Sequence, residues 1–260
     1  MLAVAPIAEN NHVVIISSSA TADGIKDAGE YIFRNVPTNS KQGADQAQFA
    51  HEKLGAKTAA ILYINNDYGN TLRNGFKEKF HELGGTVLLE EASNEKDTDY
   101  RTLLQKAAAQ KPDVLFVPSH DQETGLLLKQ AKELGIKIPV LGCDGSVTKT
   151  LIDVAQDAAE GSIYTSFGWS QEFEEKFKSK YGEDPDGYAA TSYDAVNIIA
   201  EAIRRGGYSS TGIQKAMLEI KNFPGVTGIT TFDKFGEVDK PYHQFVVRGG
   251  EFKLYTKSSN

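Results

Sequence analysis

Apolar residues in this chain follow two rhythms. Four short runs are nearly continuous: Thr58–Ile64 (TAAILYI), Thr86–Glu91 (TVLLEE), Asp113–Val117 (DVLFV) and Ile138–Gly142 (IPVLG). That is too continuous for a strand with one face in water and is typical of a sheet covered on both faces. Between them, apolar residues recur at helical spacing. Leu72, Phe76, Phe80 and Leu83 share one face, as do Leu127, Ala131 and Leu134. Strands alternating with amphipathic helices predict three βα units and a fourth strand, in a parallel, doubly wound α/β sheet with right-handed crossovers.

Such sheets bind ligands outside the carboxyl ends of their strands. The first strand is followed by Asn65-Asn66-Asp67-Tyr68-Gly69, the third by Pro118-Ser119-His120-Asp121 and the fourth by Cys143-Asp144-Gly145. Three loops thus offer an aromatic ring, an imidazole and a carboxylate to one crevice. The competing reading is that Asp67, Asp121 and Asp144 only cap helices or turns. It is weakest at Asp144, where a glycine follows and no clear helix begins at once.

The same patterning extends to both ends. Leu2–Glu9 reads as a helix without a capping residue, and Val13–Ile16 as a buried strand. Ser17-Ser18-Ser19-Ala20-Thr21 after that strand suits either an anion site or a serine-rich turn with Thr21 as a cap. Tyr31–Val36 is a further strand, Ser40–Leu54 a helix, Leu151–Ala155 a short helix and Gly161–Phe167 a strand. Phe173–Tyr181, Tyr188–Arg204 and Thr211–Ile220 are helices, and Phe223–Gly228 is turn-rich. Thr230–Phe232, Tyr242–Val247 and Glu251–Tyr255 are short strands, the last two joined as a hairpin through Gly249-Gly250. Lys257–Asn260 is a frayed tail.

Composition narrows the function. A chain of 260 residues accommodates one large domain or two small ones. A net charge of −7, with no basic run, argues against nucleic acid as a partner. One cysteine excludes an internal disulfide. The start carries no charged segment followed by an apolar one, so no signal peptide is read there. Five histidines show no metal-ligand spacing, and the glycine-rich and nucleophile-elbow motifs of cofactor and hydrolase sites are absent. No cofactor, metal or catalytic residue is therefore expected. Cys143 reads as a small residue packed at a strand end, and Glu90-Glu91 as solvated.

The residues also carry a family resemblance. LAVAPIAE, ISSSAT, YIFR, AAILYINNDYG, FHELGG, KDTDYRTLL, PDVLFVPS, LKQAKELGIKIPVLG, AAEGSIY, YGEDPDGYAATSYDAV and GVTGITTFDKFGE occur in this order. Together they resemble the branched-chain amino-acid-binding proteins of bacterial ABC transporters, with the two-lobed type I periplasmic-binding-protein fold. The resemblance implies a free amino acid held between lobes and delivered to a membrane permease, with a periplasmic or cell-surface location. It implies that Ser19, Ala20 and Thr21 hold the ligand carboxylate, and that Asp144 and His120 hold the ammonium. Tyr68 and Tyr188 would line the pocket. Lobe 1 would comprise residues 1–37 and 169–241, and lobe 2 residues 38–168 and 242–260. His120 departs from the tyrosine frequent at its position, which leaves the identity of the amino acid open.

In the family, several βα units precede the position of Leu2, and three such units need roughly 100 residues. The expectation is a chain lacking the N-terminal part of lobe 1, with weakened binding and self-association through the incomplete lobe. Two other classes remain: a ligand-sensing domain of a receptor or regulator, and a small hydrolase. A DNA-binding helix-turn-helix would mark the first, turnover of an ester or amide the second.

Overall fold

The computed structural model describes residues 1–256, so the tail at Lys257–Asn260 lies outside the described residues. In chain order the first elements are α1 (Ala5–Asn10), β1 (Ile15–Ser17), β2 (Ile32–Arg34) and α2 (Asn39–Glu52). Then come β3 (Thr58–Ile64), α3 (Asp67–Glu82), β4 (Thr86–Ser93), α4 (Arg101–Ala109), β5 (Val114–Phe116) and α5 (Asp121–Glu133). β6 (Val140–Gly142), α6 (Lys149–Ala155), β7 (Ile163–Ser166), α7 (Gln171–Tyr181), α8 (Gly187–Gly206) and α9 (Ser210–Leu218) follow. Last are β8 (Phe223–Gly225), β9 (Gly228–Thr230), β10 (His243–Arg248) and β11 (Glu251–Leu254). These elements form two compact units, Met1–Thr38 with Phe167–Pro241 and Asn39–Ser166 with Tyr242–Asn260. Among the described residues no helix is long and apolar enough to cross a membrane.

The second unit is built on a seven-stranded sheet of order β11-β10-β7-β6-β5-β3-β4. The strands from β4 to β7 run parallel, and β10 and β11 are antiparallel additions at one edge. Side chains alternate between two covered faces, as a period of two requires. Ala59, Ile61, Val114 and Phe116 pack with Phe76 and Phe80 of α3 and Ala47 of α2. Ala60, Leu62, Leu115 and Val117 pack with Leu104 of α4, Leu127 of α5 and Leu151 of α6. After β3 the chain adds β4 on one side and then returns to place β5 on the other. The loops following β3 and β5 therefore leave a crevice at the point where the strand order reverses.

The first unit pairs β1 with β2 in parallel, Ile15 opposite Ile32 and Ser17 opposite Arg34. On one face Ile15 and Ile32 pack with Ala5 and Ala8 of α1. On the other, Ile16 and Phe33 pack with Ile198 and Ala202 of α8 and Met217 of α9. Some expected boundaries move. The opening helix begins at Ala5, with Pro6 in its first turn, where its missing N–H costs nothing. The strand expected at Val13–Ile16 starts two residues later and ends one later, at Ile15–Ser17. β8 and β9 form an antiparallel hairpin that starts in the segment read as turns, with Pro224 opposite Ile229. β9 ends at Thr230, where the strand expected at Thr230–Phe232 was to begin.

Candidate functional site

Three loops at the carboxyl ends of the parallel strands meet in the second unit. Asn66 caps α3, its side chain accepting from the Gly69 N–H at 3.0 Å, which sets Tyr68 in the first turn. Asp67 is thus inside the helix rather than its cap. The N-cap of α5 is His120, without a side-chain bond, so Asp121 does not cap either. Its carboxylate accepts from the Gln122 N–H at 2.8 Å and the Thr148 hydroxyl at 2.7 Å. Both aspartates still place negative charge in a first helical turn, where the helix dipole favours it. After β6, contrary to expectation, a 3-10 turn starts at once, Asp144–Ser146.

The turn brings Asp144 against Tyr68. The Tyr68 hydroxyl donates to Asp144 Oδ1 at 2.8 Å and accepts from the Gly145 N–H at 3.0 Å. The Tyr68 ring stacks on His120, with centroids 5.0 Å apart and planes 16° from parallel. Asp144 is 3% exposed, so its charge is withdrawn from water and leans on such donors. Cys143, fully buried beside it, packs among Ile61, Phe116 and Leu141. Burial, and after it the Asp144 charge, push its thiol well above the usual range, which favours the unreactive protonated form. Glu90 and Glu91 are ion-paired rather than merely solvated, with Lys77 at 2.5 Å and Lys106 at 2.8 Å.

In the first unit, Ser19, Ala20 and Thr21 follow β1 in one loop. Ser17 Oγ accepts the Ala20 N–H at 2.9 Å and the Ser19 N–H at 3.4 Å, a turn closed by a serine side chain. Thr21 is buried and Ser19 exposed. The cap of the following short helical turn is Ala22, not Thr21. Ser18 meets Ser192 of α8, hydroxyl to hydroxyl, at 3.0 Å. Tyr188, in the first turn of α8, is half-buried with its ring 6.1 Å from Phe167 and nearly perpendicular to it.

Sequence reasoning missed two contributors. Arg34 is fully buried, donates to the carbonyls of Ala22 at 2.8 Å and Ala20 at 3.5 Å, and pairs with Glu237. It holds the serine loop from below, and a lone arginine in the apolar run YIFRNV was its only signal. The other is the Asp194–Thr227–Lys240 cluster. Asp194 of α8 accepts from the N–H groups of Val226 at 2.7 Å and Thr227 at 2.9 Å, and from the Thr227 hydroxyl. Lys240 donates to that hydroxyl at 2.9 Å and stands 3.9 Å from Asp194. Among the described residues there is no group of three or more histidines, cysteines or carboxylates suited to a metal.

The sequence model of the periplasmic binding protein family matches residues 1–251. The leucine-, isoleucine-, valine-, threonine- and alanine-binding protein of Pseudomonas aeruginosa is 30% identical over 240 residues, 89% of this chain and 64% of that protein. The chain thus spans less than two thirds of that relative's length. The crystal structure of a leucine-binding protein from Thermotoga maritima superimposes with a TM-score of 0.93 at 30% identity, covering 98% of this chain and 75% of that one. A branched-chain amino acid transporter substrate-binding protein of Streptococcus pneumoniae, in complex with isoleucine, gives 0.89 at 28% identity over 98% and 76%. With two α/β units, a doubly wound sheet and a match along nearly its whole length, the chain belongs to the periplasmic binding protein family, with the type I fold.

Proposed function

We propose that this chain is the ligand-capturing part of a solute-binding protein that takes up a free amino acid, branched-chain or related, for an ABC importer. The carrying observation is the buried Asp144 carboxylate after β6, oriented by Tyr68 from the loop after β3 and with His120 from the loop after β5 stacked on that ring. A carboxylate so placed suits an ammonium group. Ser19, Ala20 and Thr21 receive the ligand carboxylate, and Tyr68 and Tyr188 contact its side chain. The relatives named for leucine, isoleucine and valine support this chemistry. The location is periplasmic or at the cell surface, and the partner is a membrane permease.

The test is NMR titration of the isotope-labelled chain with each amino acid at millimolar concentration, which detects weak binding. Leucine, isoleucine or valine is expected to shift the signals of Tyr68, His120 and Gly145. No shift with any amino acid would overturn the reading.

Self-association is also proposed. Among the described residues β1 pairs with β2 alone, and several apolar residues of the same unit are open to water. Val4 is 47%, Ile7 64%, Tyr193 52% and Val196 66% exposed. Sheet edges with apolar flanks pair with other chains. Sedimentation velocity is expected to show oligomers that the double substitution Ile7→Lys/Val196→Lys dissociates. A monomer at all concentrations would end the idea.

A further inference from the structure

We infer that Gly145 is a positioning residue for the Asp144 carboxylate, acting through Tyr68 and His120; the inference rests on the amino-acid reading above. Gly145 is held to glycine by space rather than by backbone angle, since its φ is not among the positive values of the chain's glycines. A Cβ there would stand 2.8 Å from the Tyr68 hydroxyl oxygen, and 3.1 Å both from its ring carbon and from His120 Nδ1. The first of these is closer than side chains tolerate, and the obstacle is the hydroxyl of a ring stacked on His120 and hydrogen-bonded to Asp144.

The hydrogen bonds give the close approach its purpose. The Gly145 N–H donates to the Tyr68 hydroxyl at 3.0 Å, and that hydroxyl donates onward to Asp144 Oδ1 at 2.8 Å. One oxygen thus uses its acceptor and donor capacity in a chain ending on the carboxylate. Each bond in such a chain polarises the next. The stack of Tyr68 on His120, 5.0 Å between centroids, sets the ring's tilt. A methyl group at Gly145 therefore lifts the hydroxyl off the carboxylate and loosens the stack together. Asp144 keeps its place in the turn but loses the partner that aims it.

The experiment compares Gly145→Ala, Tyr68→Phe and the double substitution, with two readouts. In the ligand-free chain, Gly145→Ala is expected to move the aromatic-ring NMR signals of both Tyr68 and His120, with the unfolding midpoint little changed. In leucine titrations, each single substitution is expected to lower affinity about tenfold or more, the loss of a hydrogen bond to a charged group. The double substitution is expected to be no weaker than the weaker single, because both remove the same contact. Losses that multiply, or ring signals unmoved by Gly145→Ala, would overturn the inference. Should Gly145→Ala fail to fold, the double substitution removes the clashing hydroxyl and is expected to fold; its failure would also overturn it. If the unsubstituted chain ignores every amino acid, the functional reading fails, yet the ligand-free ring signals still decide what Gly145 does.

Discussion

Replacing Asp144 by asparagine is expected to weaken amino-acid binding by about 2–5 kcal/mol, the cost of removing one member of a buried, hydrogen-bonded charge pair. Asparagine keeps the shape and one acceptor for the Tyr68 hydroxyl but not the charge. Asp144 is 3% exposed, so water cannot make up the loss when an ammonium arrives. The ligand-free protein should respond in the opposite sense. A buried carboxylate carries a desolvation cost that an asparagine amide does not, so the variant is expected to unfold at the same or a slightly higher temperature. Calorimetric titration with leucine, isoleucine and valine, beside thermal unfolding, separates the two effects. Unchanged affinity would remove Asp144 from the ammonium site. A collapse in stability would make it a structural residue.

The largest stability effect is expected at Asp194. Asp194→Asn strips the countercharge from Lys240, which is 4% exposed, and turns an NH2 group toward donors of Val226 and Thr227. Breaking one side of a buried pair costs about 3–5 kcal/mol. Lys240→Met should cost far less, because the ammonium is itself poorly placed. Desolvation, opposed by Asp194, pulls its pKa down to about 8 from an ordinary 10.5. Between those values the unfolded chain holds a proton that the folded chain has released. Stability should therefore rise with pH from about 8 toward 10.5, and Lys240→Met should flatten that rise. Urea unfolding followed through the single tryptophan, Trp169, gives both numbers. Asp194→Asn within 1 kcal/mol of the parent, against the roughly 3 expected, would show that the cluster pins nothing.

Legibility from sequence tracked how far each feature depends on distant partners. β3 matched its expected limits, because seven residues alternating between two apolar faces leave little choice. The start of β1 slipped by two residues and its end by one, because the run VVII carries no register of its own. Its limits are set by pairing with Ile32–Arg34. The hairpin of β8 and β9 hid behind Pro224, Gly225 and Gly228, which read as turns when pairing is unseen. Tyr68, His120 and Asp144 could be nominated because each follows the carboxyl end of a parallel strand, where topology collects functional groups. Gly145 could not, since a glycine after an aspartate reads as a turn. What it excludes is a ring 77 positions away. Asp194 was likewise hidden on the buried side of a helix, its partners in a loop of no regular pattern.

The return of the chain to its second unit has a consequence for how the protein is made. β7 pairs with β6 on one side and with β10 on the other, and the whole of Phe167–Pro241 is inserted between β7 and β10. The first unit is interrupted in the same way, since β1 and β2 pack on α8 and α9, which leave the ribosome much later. Neither unit can finish until its second segment has emerged. Loop closure is not the obstacle, since each doubling of length costs only about 0.6 kcal/mol. The obstacle is order of arrival: until Arg248 emerges, the β7 edge lies open to any other strand nearby. The second unit should therefore close only after the β10–β11 hairpin emerges, and the nascent chain depends on being shielded until then.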